Sequence, residues 1–284
     1  MKVYLLGYTT IHEAGLRSYL RDTGQEDFWE EYLRAVTIEG LSSGEALCSI
    51  YAKICYKSLV VGKNANITKV RGIRDNIMSC FDTGHGSVFE HCQLNFLAHG
   101  VSRVFTHELV RHRVGTAYSQ TSGRYVSMDE GLEIVMPPEL EGCEDVIDSH
   151  LHETMKLAKA LRKRLIGPRA CAECNGRPIG FPDDCKACDG TGIFEVTDFN
   201  TKKKITSAIR RIAPNGQTNE IGFSVNLRSL RHIIEMRTNR AAEWEIRNIF
   251  NQVADIVMAR MPMALYGANC EVVDGLTEYT ELKI

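Results

Sequence analysis

Arg111, Arg113 and Arg124 fall with His112 inside one fifteen-residue run, Arg111–Tyr125, which also carries Gln120, Ser122 and Gly123. Unpaired guanidinium groups are too costly to bury in a core, so such a run is better suited to holding a ligand. Arginine presents a fixed fork of donors that grips phosphate or carboxylate through two parallel hydrogen bonds. Ser122 adds a neutral donor, and Gly123 lets a ligand approach the backbone closely. The chemistry expected of this run is recognition of a planar or tetrahedral anion.

A second group consists of cysteines. Cys171-Ala-Glu-Cys174 and Cys185-Lys-Ala-Cys188 are separated by ten residues, and a glycine stands two places beyond each second cysteine. Each Cys-x-x-Cys brings two thiolates to one metal, so the four sulfurs suit a tetrahedral, structural Zn2+. Four thiolates leave no open position for a catalytic water. Two disulfides, a redox pair and an iron–sulfur cluster are the alternatives that spacing leaves open. The pairs sit in a stretch, 167–192, with three of the seven prolines and five glycines. It reads as an inserted zinc-binding segment resembling zinc ribbons and the cysteine-rich domain of DnaJ-type chaperones. The rest, 1–166 and 193–284, reads as one catalytic domain. Cys48, Cys55, Cys80, Cys92, Cys143 and Cys270 are scattered and read as small buried apolar residues.

These groups must be positioned by a frame of mixed elements. Met1–Tyr8 reads as a first strand, and residues 11–37 have helical spacing with Phe28 and Trp29 turned inward. Ser42 or Ser43 caps a helix to about Tyr56, with Ala46, Leu47, Ile50 and Ile54 on one face. Helices are expected over Ile67–Phe81, Val101–Val110, Glu144–Leu165, Ile205–Ile212, Leu227–Arg237 and Ala241–Met261. Strands are expected over Gln93–Ala98 and Ile221–Val225. Without regular βαβ alternation, the fold class is α+β: a mixed sheet packed with helices. Arg103 and Arg231 read as helix-surface or interface residues.

With 284 residues, 44% of them hydrophobic, the chain suits one sizeable domain with a small insert. A net charge of -2 gives no whole-chain case for nucleic acid as a partner. No apolar run approaches the roughly 20 residues needed to span a bilayer, so no membrane partner is expected. The N-terminus lacks a signal-peptide layout, which points to the cytoplasm of a cell or of a virus-infected host.

Three blocks together resemble the flavin-dependent thymidylate synthases. The first is Arg111-His112-Arg113 followed by Ser122-Gly123-Arg124-Tyr125. Here eight residues separate Arg113 from Ser122, where the family has seven. The second is Gly84-His85-Gly86-Ser87-Val88-Phe89-Glu90-His91, similar to the family's Gly-His-x-Ser/Thr-x-x-Glu-His. The third runs from Asn226-Leu227-Arg228 through His232 and Arg237 to Trp244-Glu245-Ile246. The resemblance spans about residues 40–265 apart from the insert.

It implies reductive methylation of dUMP at C5, with 5,10-methylenetetrahydrofolate giving the carbon, NADPH reducing the flavin and reduced FAD giving hydride. It further implies that His85, Ser87, Arg111, His112, Arg113, Asn226, Arg228 and His232 hold FAD. Glu108, Gln120, Ser122, Gly123, Arg124, Arg210 and Arg237 would surround the nucleotide, with the phosphate on Ser122, Gly123 and Arg124. Arg237 and His85 would be catalytic, Arg237 by polarising a pyrimidine carbonyl. No cysteine lies in a block resembling the classical thymidylate synthase nucleophile. A homotetramer is implied, since the family's sites form where subunits meet. The family commonly has glutamine where Glu108 stands, which keeps a second reading open: another pyrimidine nucleotide such as dCMP, methylated or hydroxymethylated. A third is a non-catalytic flavin- and zinc-binding relative.

Overall fold

In a computed structural model of the chain, residues 1–126, 131–176 and 185–282 are described. The chain opens on strand β1 (Lys2–Tyr8), which pairs antiparallel with β2 (Gln93–Ser102) and places Val3 opposite Ala98. Strands β3 (Thr116–Gln120) and β6 (Thr218–Asn226) complete a four-stranded sheet in the order β1-β2-β6-β3. Helices α8 (Leu227–Thr238) and α9 (Trp244–Arg260) follow β6 directly. Phe96 of β2 stacks on Phe223 of β6 with ring centroids 5.2 Å apart, and Phe223 reaches Phe250 of α9 at 6.4 Å. Their burial joins sheet and helix in one core, the dominant favourable term in folding. The architecture is the expected α+β. Of the scattered cysteines, Cys48, Cys80 and Cys92 are buried as expected, whereas Cys55, Cys143 and Cys270 are exposed, each within one residue of the end of an element.

Chain contacts divide the molecule into two units. The first comprises Met1–Val101, Phe105–Ser119 and Glu220–Ile284; the second comprises Ser102–Val104 and Gln120–Asn219. In the first unit, the helical stretch expected over 11–37 is two helices, α1 (Glu13–Thr23) and α2 (Phe28–Thr37). Gly24 closes α1 at φ 61°, and its N–H donates to the Arg21 carbonyl. Phe28 and Trp29 are buried as expected. Helix α3 (Ser43–Cys55) starts on a full capping box between Ser42 and Glu45. Ala46 and Ile50 are buried, whereas Ile54, expected on the same face, is exposed in the last turn. Helix α4 (Ile73–Asp82) begins six residues later than expected from Ile67. The Arg71 carbonyl just before it accepts from the buried Lys53 ammonium, at 2.5 Å, so this segment is anchored outside the helix ladder.

Helix α5 (Arg103–Leu109) leads into the arginine run. In the second unit α6 (Glu144–Leu165) has the expected bounds, and α7 (Phe199–Ile209) starts earlier than expected because Asp198 caps it through the Thr201 N–H. Leu151 and Ala158 of α6 share a small core with Leu132 and Ile209. A two-residue hairpin, β4 (Arg169–Ala170) with β5 (Ile193–Phe194), lies between the two helices in sequence. Residues 177–184 of the expected insert lie outside the described residues.

The hairpin β7 (Asn269–Val273) with β8 (Leu276–Thr280) in the first unit was not anticipated. Its turn is Asp274-Gly275, with φ of 55° and 76°, the left-handed pair that a tight two-residue hairpin requires. Arg231 is also placed differently from the surface position expected. It is 1% exposed and donates to the carbonyls of Ala264 and Tyr266 at 2.7 and 2.9 Å. Its guanidinium lies 4.2 Å over the Phe81 ring. Arg231→Ala is expected to lose about 3 kcal/mol of stability, read as a lowered denaturant midpoint at an unchanged slope.

Candidate functional site

The arginine run is shaped by its own hydroxyls. After α5 the chain turns, and the His112 carbonyl accepts from the Thr116 hydroxyl at 2.7 Å and from the Tyr118 hydroxyl. Tyr118 also reaches the Leu109 carbonyl at 3.0 Å. These bonds bend the backbone so that Arg111 and Arg113 stay exposed while His112 turns partly inward. The run then passes the start of α8. The Asn226 N–H donates to the Gly115 carbonyl, and the Asn226 side chain caps α8 by accepting from the Ser229 N–H at 2.8 Å. Gly115 has φ 66°, and a Cβ there would stand 2.1 Å from the Asn226 side-chain nitrogen. Only glycine permits this approach.

The result is a hollow of about 680 Å³ in the first unit, lined among others by Arg111, His112, Arg113, Arg228 and His232. Five of the eight residues expected at the flavin thus meet in one place. Arg228 is paired with Glu90 at 2.6 Å. Asn226 is buried beneath as the cap of α8, and Ser87 is exposed on the 3-10 turn Gly86–His91. His85, at the start of that turn, lines a different hollow of about 440 Å³, together with Lys53, Tyr56, Lys69 and Arg71. The basic residues of this second hollow were missed; their spacing in the sequence is irregular and carried no signal.

Arg237 is fixed in three ways. Its Nε donates to His112 Nε2 at 2.8 Å, its Nη1 to Glu108 Oε2 at 2.7 Å and its Nη2 to the Glu108 carbonyl at 3.3 Å. Burial, and then the neighbouring charges of Arg237 and His232, push the His112 ring down from 6.5 to about 4. A neutral ring is what the hydrogen bond requires, because Nε2 must accept.

The other expected nucleotide residues lie in the second unit. Gln120, Ser122 and Gly123 are half-buried there, while Arg124 and Arg210 are exposed. Gly123 and Arg210 line a hollow of about 320 Å³ with Arg103, Arg162 and Arg211. Arg103, expected on a helix surface, is therefore part of a basic cavity. Burial, then the charge of Arg210, lower its pKa. Arg162 was missed, although Leu151, Ala158 and Arg162 share the inward helical spacing of α6.

The four cysteines of the same unit come together. Their sulfurs all lie within 4.8 Å of one another, with Cys171–Cys185 and Cys174–Cys188 each 3.7 Å apart. A disulfide needs about 2.05 Å, so all four are free thiols. Tetrahedral thiolates about 2.3 Å from zinc stand about 3.8 Å apart, which fits. Each knuckle has two left-handed residues, Asn175 and Gly176 at φ 56° and 72°, Asp189 and Gly190 at φ 49° and 75°. The Cys174 backbone N–H lowers the Cys171 thiol to about 7, whereas burial, then the sulfurs of Cys188 and Cys171, raise Cys174, so a metal would have to displace the protons that remain.

His112 gives a pH test. Below pH 6.5 the unfolded ring takes up a proton that the folded ring resists until about pH 4. Stability therefore falls as pH drops through that window. His112→Gln should flatten this part of the profile, measured as denaturation midpoints at pH 7 and pH 5. An equal fall in both proteins would show an ordinary histidine.

The family model described as "Thymidylate synthase complementing protein" matches residues 38–263. A flavin-dependent thymidylate synthase of Mycobacterium marinum is 33% identical over 206 residues, 72% of this chain and 72% of that protein. Another from Clostridium tetani is 27% identical over 232 residues, 79% of this chain and 82% of that one. A crystal structure of Thymidylate Synthase X from Helicobacter pylori with FAD and dUMP matches over 94% of this chain and 100% of that one, at 16% identity and a TM-score of 0.49. With its arginine run, its glycine–histidine turn and the Arg237 segment all inside the matched residues, this chain belongs to the flavin-dependent thymidylate synthase family.

Proposed function

We propose that this chain converts dUMP to dTMP by reductive methylation at C5, taking the carbon from 5,10-methylenetetrahydrofolate and the electrons from NADPH through FAD. The observation that carries this reading is Arg237, a partly buried guanidinium oriented by Glu108 and His112 within a chain of this family. Arginine stays protonated, so it stabilises negative charge on a pyrimidine carbonyl without having to give up a proton. Charge withdrawn there makes C6 more electrophilic. Activation is then electrostatic, with no cysteine nucleophile. Glu108 uses one carboxylate oxygen on Arg237 and so serves to orient that group.

The residues around the larger hollow fit a flavin dinucleotide. Arg111 and Arg113 offer charge to a pyrophosphate beside the Arg228–Glu90 pair, the neutral His112 ring and the His232 ring offer polar edges, and Gly115 lets Asn226 close in behind the loop that carries the arginines. Bound FAD would supply hydride. Asn226 would orient the cradle by fixing α8 against Gly115. His85 would act from its own hollow, at the end of the Gly-His-Gly turn. In the second unit Gln120, Ser122, Gly123, Arg124 and Arg210 would take the nucleotide, its phosphate on the arginines. The active form is a homotetramer in the cytoplasm, as the resemblance implies. Among the described residues no helix is long and apolar enough to cross a membrane.

We assign Cys171, Cys174, Cys185 and Cys188 to a structural Zn2+. Elemental analysis of protein prepared without chelator should find stoichiometric zinc; iron, or no metal, would overturn the assignment. The function is tested by an anaerobic assay with FAD, NADPH, methylenetetrahydrofolate and either dUMP or dCMP. Turnover of dUMP is expected, and turnover of dCMP alone would reassign the base. Arg237→Lys should keep flavin and NADPH oxidation while methylation slows about 10²-fold. A wild-type rate would remove Arg237 from the chemistry.

A further inference from the structure

We propose that Lys69 and Arg71, with the buried Lys53 behind them, form a carboxylate-binding site that takes the glutamate tail of the folate co-substrate. This rests on the reading of the chain as a folate-consuming methylase. The three residues lie outside the motif blocks that suggested that activity, and they meet in the hollow of about 440 Å³ in the first unit. Short-range bonds place them. Helix α3 ends at Cys55, and the Ser58 N–H turns back to the Lys53 carbonyl at 2.9 Å. Asn64 closes the loop that follows: its side-chain amide donates to the Tyr56 carbonyl at 2.8 Å, and its own carbonyl accepts from the Ile67 N–H at 2.9 Å. The chain then passes Lys53 again, whose ammonium donates to the Arg71 carbonyl at 2.5 Å. The loop is tied to one lysine at both ends, and Lys69 and Arg71 stand at the second tie.

Charge sets this hollow apart. Elsewhere in the first unit exposed arginines are matched with acid: Arg34 with Glu31, Arg228 with Glu90, Arg240 with Glu271. Among the described residues no carboxylate lines the hollow, and the side chain of Arg71 is held by a neutral hydroxyl, its Nη1 donating to Ser79 Oγ at 2.7 Å. Glu31, whose charge does reach Lys53, already accepts from the Ile73 N–H at 2.6 Å and from Arg34 at 2.7 Å. Lys53 is 1% exposed; burial lowers its ammonium to about 8, Glu31 opposing the shift and Arg71 adding to it. An anion in the hollow would offset the cost of keeping that charge buried. The remaining walls suit the group that carries the anion. Ala52, Ile67 and Val70 are apolar, and the Tyr56 and His85 rings lie 6.4 Å apart in the same lining. A benzoylglutamate joins an aryl ring to two separate carboxylates, so it calls for apolar wall and spaced cations together. The phosphate of a nicotinamide dinucleotide is better matched by guanidinium forks, whereas two of the three cations here are lysines, point charges on flexible stems.

The test uses the full-length, flavin-loaded protein. It measures KM for methylenetetrahydrofolate and for NADPH, and calorimetric binding of 5-formyltetrahydrofolate and of its α,γ-diamide, in which both tail carboxylates are neutral. Lys69 and Arg71 are exposed, and the tie to Lys53 uses the Arg71 backbone, so replacing both side chains leaves the loop anchored. The double variant Lys69→Gln, Arg71→Gln should raise the KM for methylenetetrahydrofolate and weaken 5-formyltetrahydrofolate about tenfold. Flavin content, dUMP affinity and binding of the diamide should stay at wild-type values. Arg71→Lys alone should retain most of the affinity that Arg71→Gln alone loses. Wild-type folate affinity in the double variant would overturn the site. An equal loss for the diamide would also overturn it, since the effect would then not be on carboxylates. A raised KM for NADPH with folate unchanged would overturn the folate assignment and give the hollow to a dinucleotide phosphate. If wild-type protein turned over neither dUMP nor dCMP, the proposed function would fall. Binding of 5-formyltetrahydrofolate to wild type and double variant would still decide the hollow: a tenfold difference supports the carboxylate site, and equal binding, or none, refutes it.

Discussion

The first unit depends on one close approach, that of the Gly115 backbone to Asn226. Asn226 ends β6 and begins α8, so it is where the sheet hands over to the helix. Its N–H holds the Gly115 carbonyl while its side chain caps α8. Any side chain at position 115 would occupy the place of the Asn226 amide. This contact sets the arginine run beside α8, and α8 carries Arg228, His232 and Arg237. Residues more than a hundred positions apart thereby line one hollow. The extra residue relative to the family pattern falls within 114–121, the stretch that begins beside this glycine.

The chain uses buried guanidinium groups in two distinct ways. Arg231 is enclosed completely and spends its donors on backbone carbonyls, so its task is to close the core around Phe81. Arg237, six residues further along α8, keeps a face toward solvent and is held by a carboxylate and a neutral imidazole. The first arrangement is structural because a group 1% exposed presents no face to a ligand. The second preserves a charge whose direction is fixed in advance, which is what electrostatic stabilisation requires.

In the second unit a four-cysteine cluster and a basic cavity lie along the same two helices. The small core of Leu132, Leu151, Ala158 and Ile209 is modest, and cores of this size gain most from a cross-link. A metal held on the four sulfurs would supply one without adding apolar surface.

Chemistry carried by short motifs was legible in the sequence. The cysteine spacing foretold the cluster, because the ligands are local and their geometry is set by two glycine-bearing knuckles. Helix α6 and the capping box of α3 were legible for the same reason: periodicity and caps act within a few residues. The composition and the lack of βαβ alternation gave the α+β class. What only tertiary structure decided were choices between surfaces that a single segment cannot distinguish. Arg231 and Arg103 look like surface arginines on a helical wheel, and their burial follows from Phe81 and the Ala264–Tyr266 carbonyls in one case and the Arg210 cavity in the other. The late start of α4 depends on Lys53 reaching back to the Arg71 carbonyl. The partner of Arg237 likewise came from a helix more than a hundred residues away. Local sequence specifies which groups are available. Packing decides which of them are desolvated, and so which charges are fixed in place for a ligand.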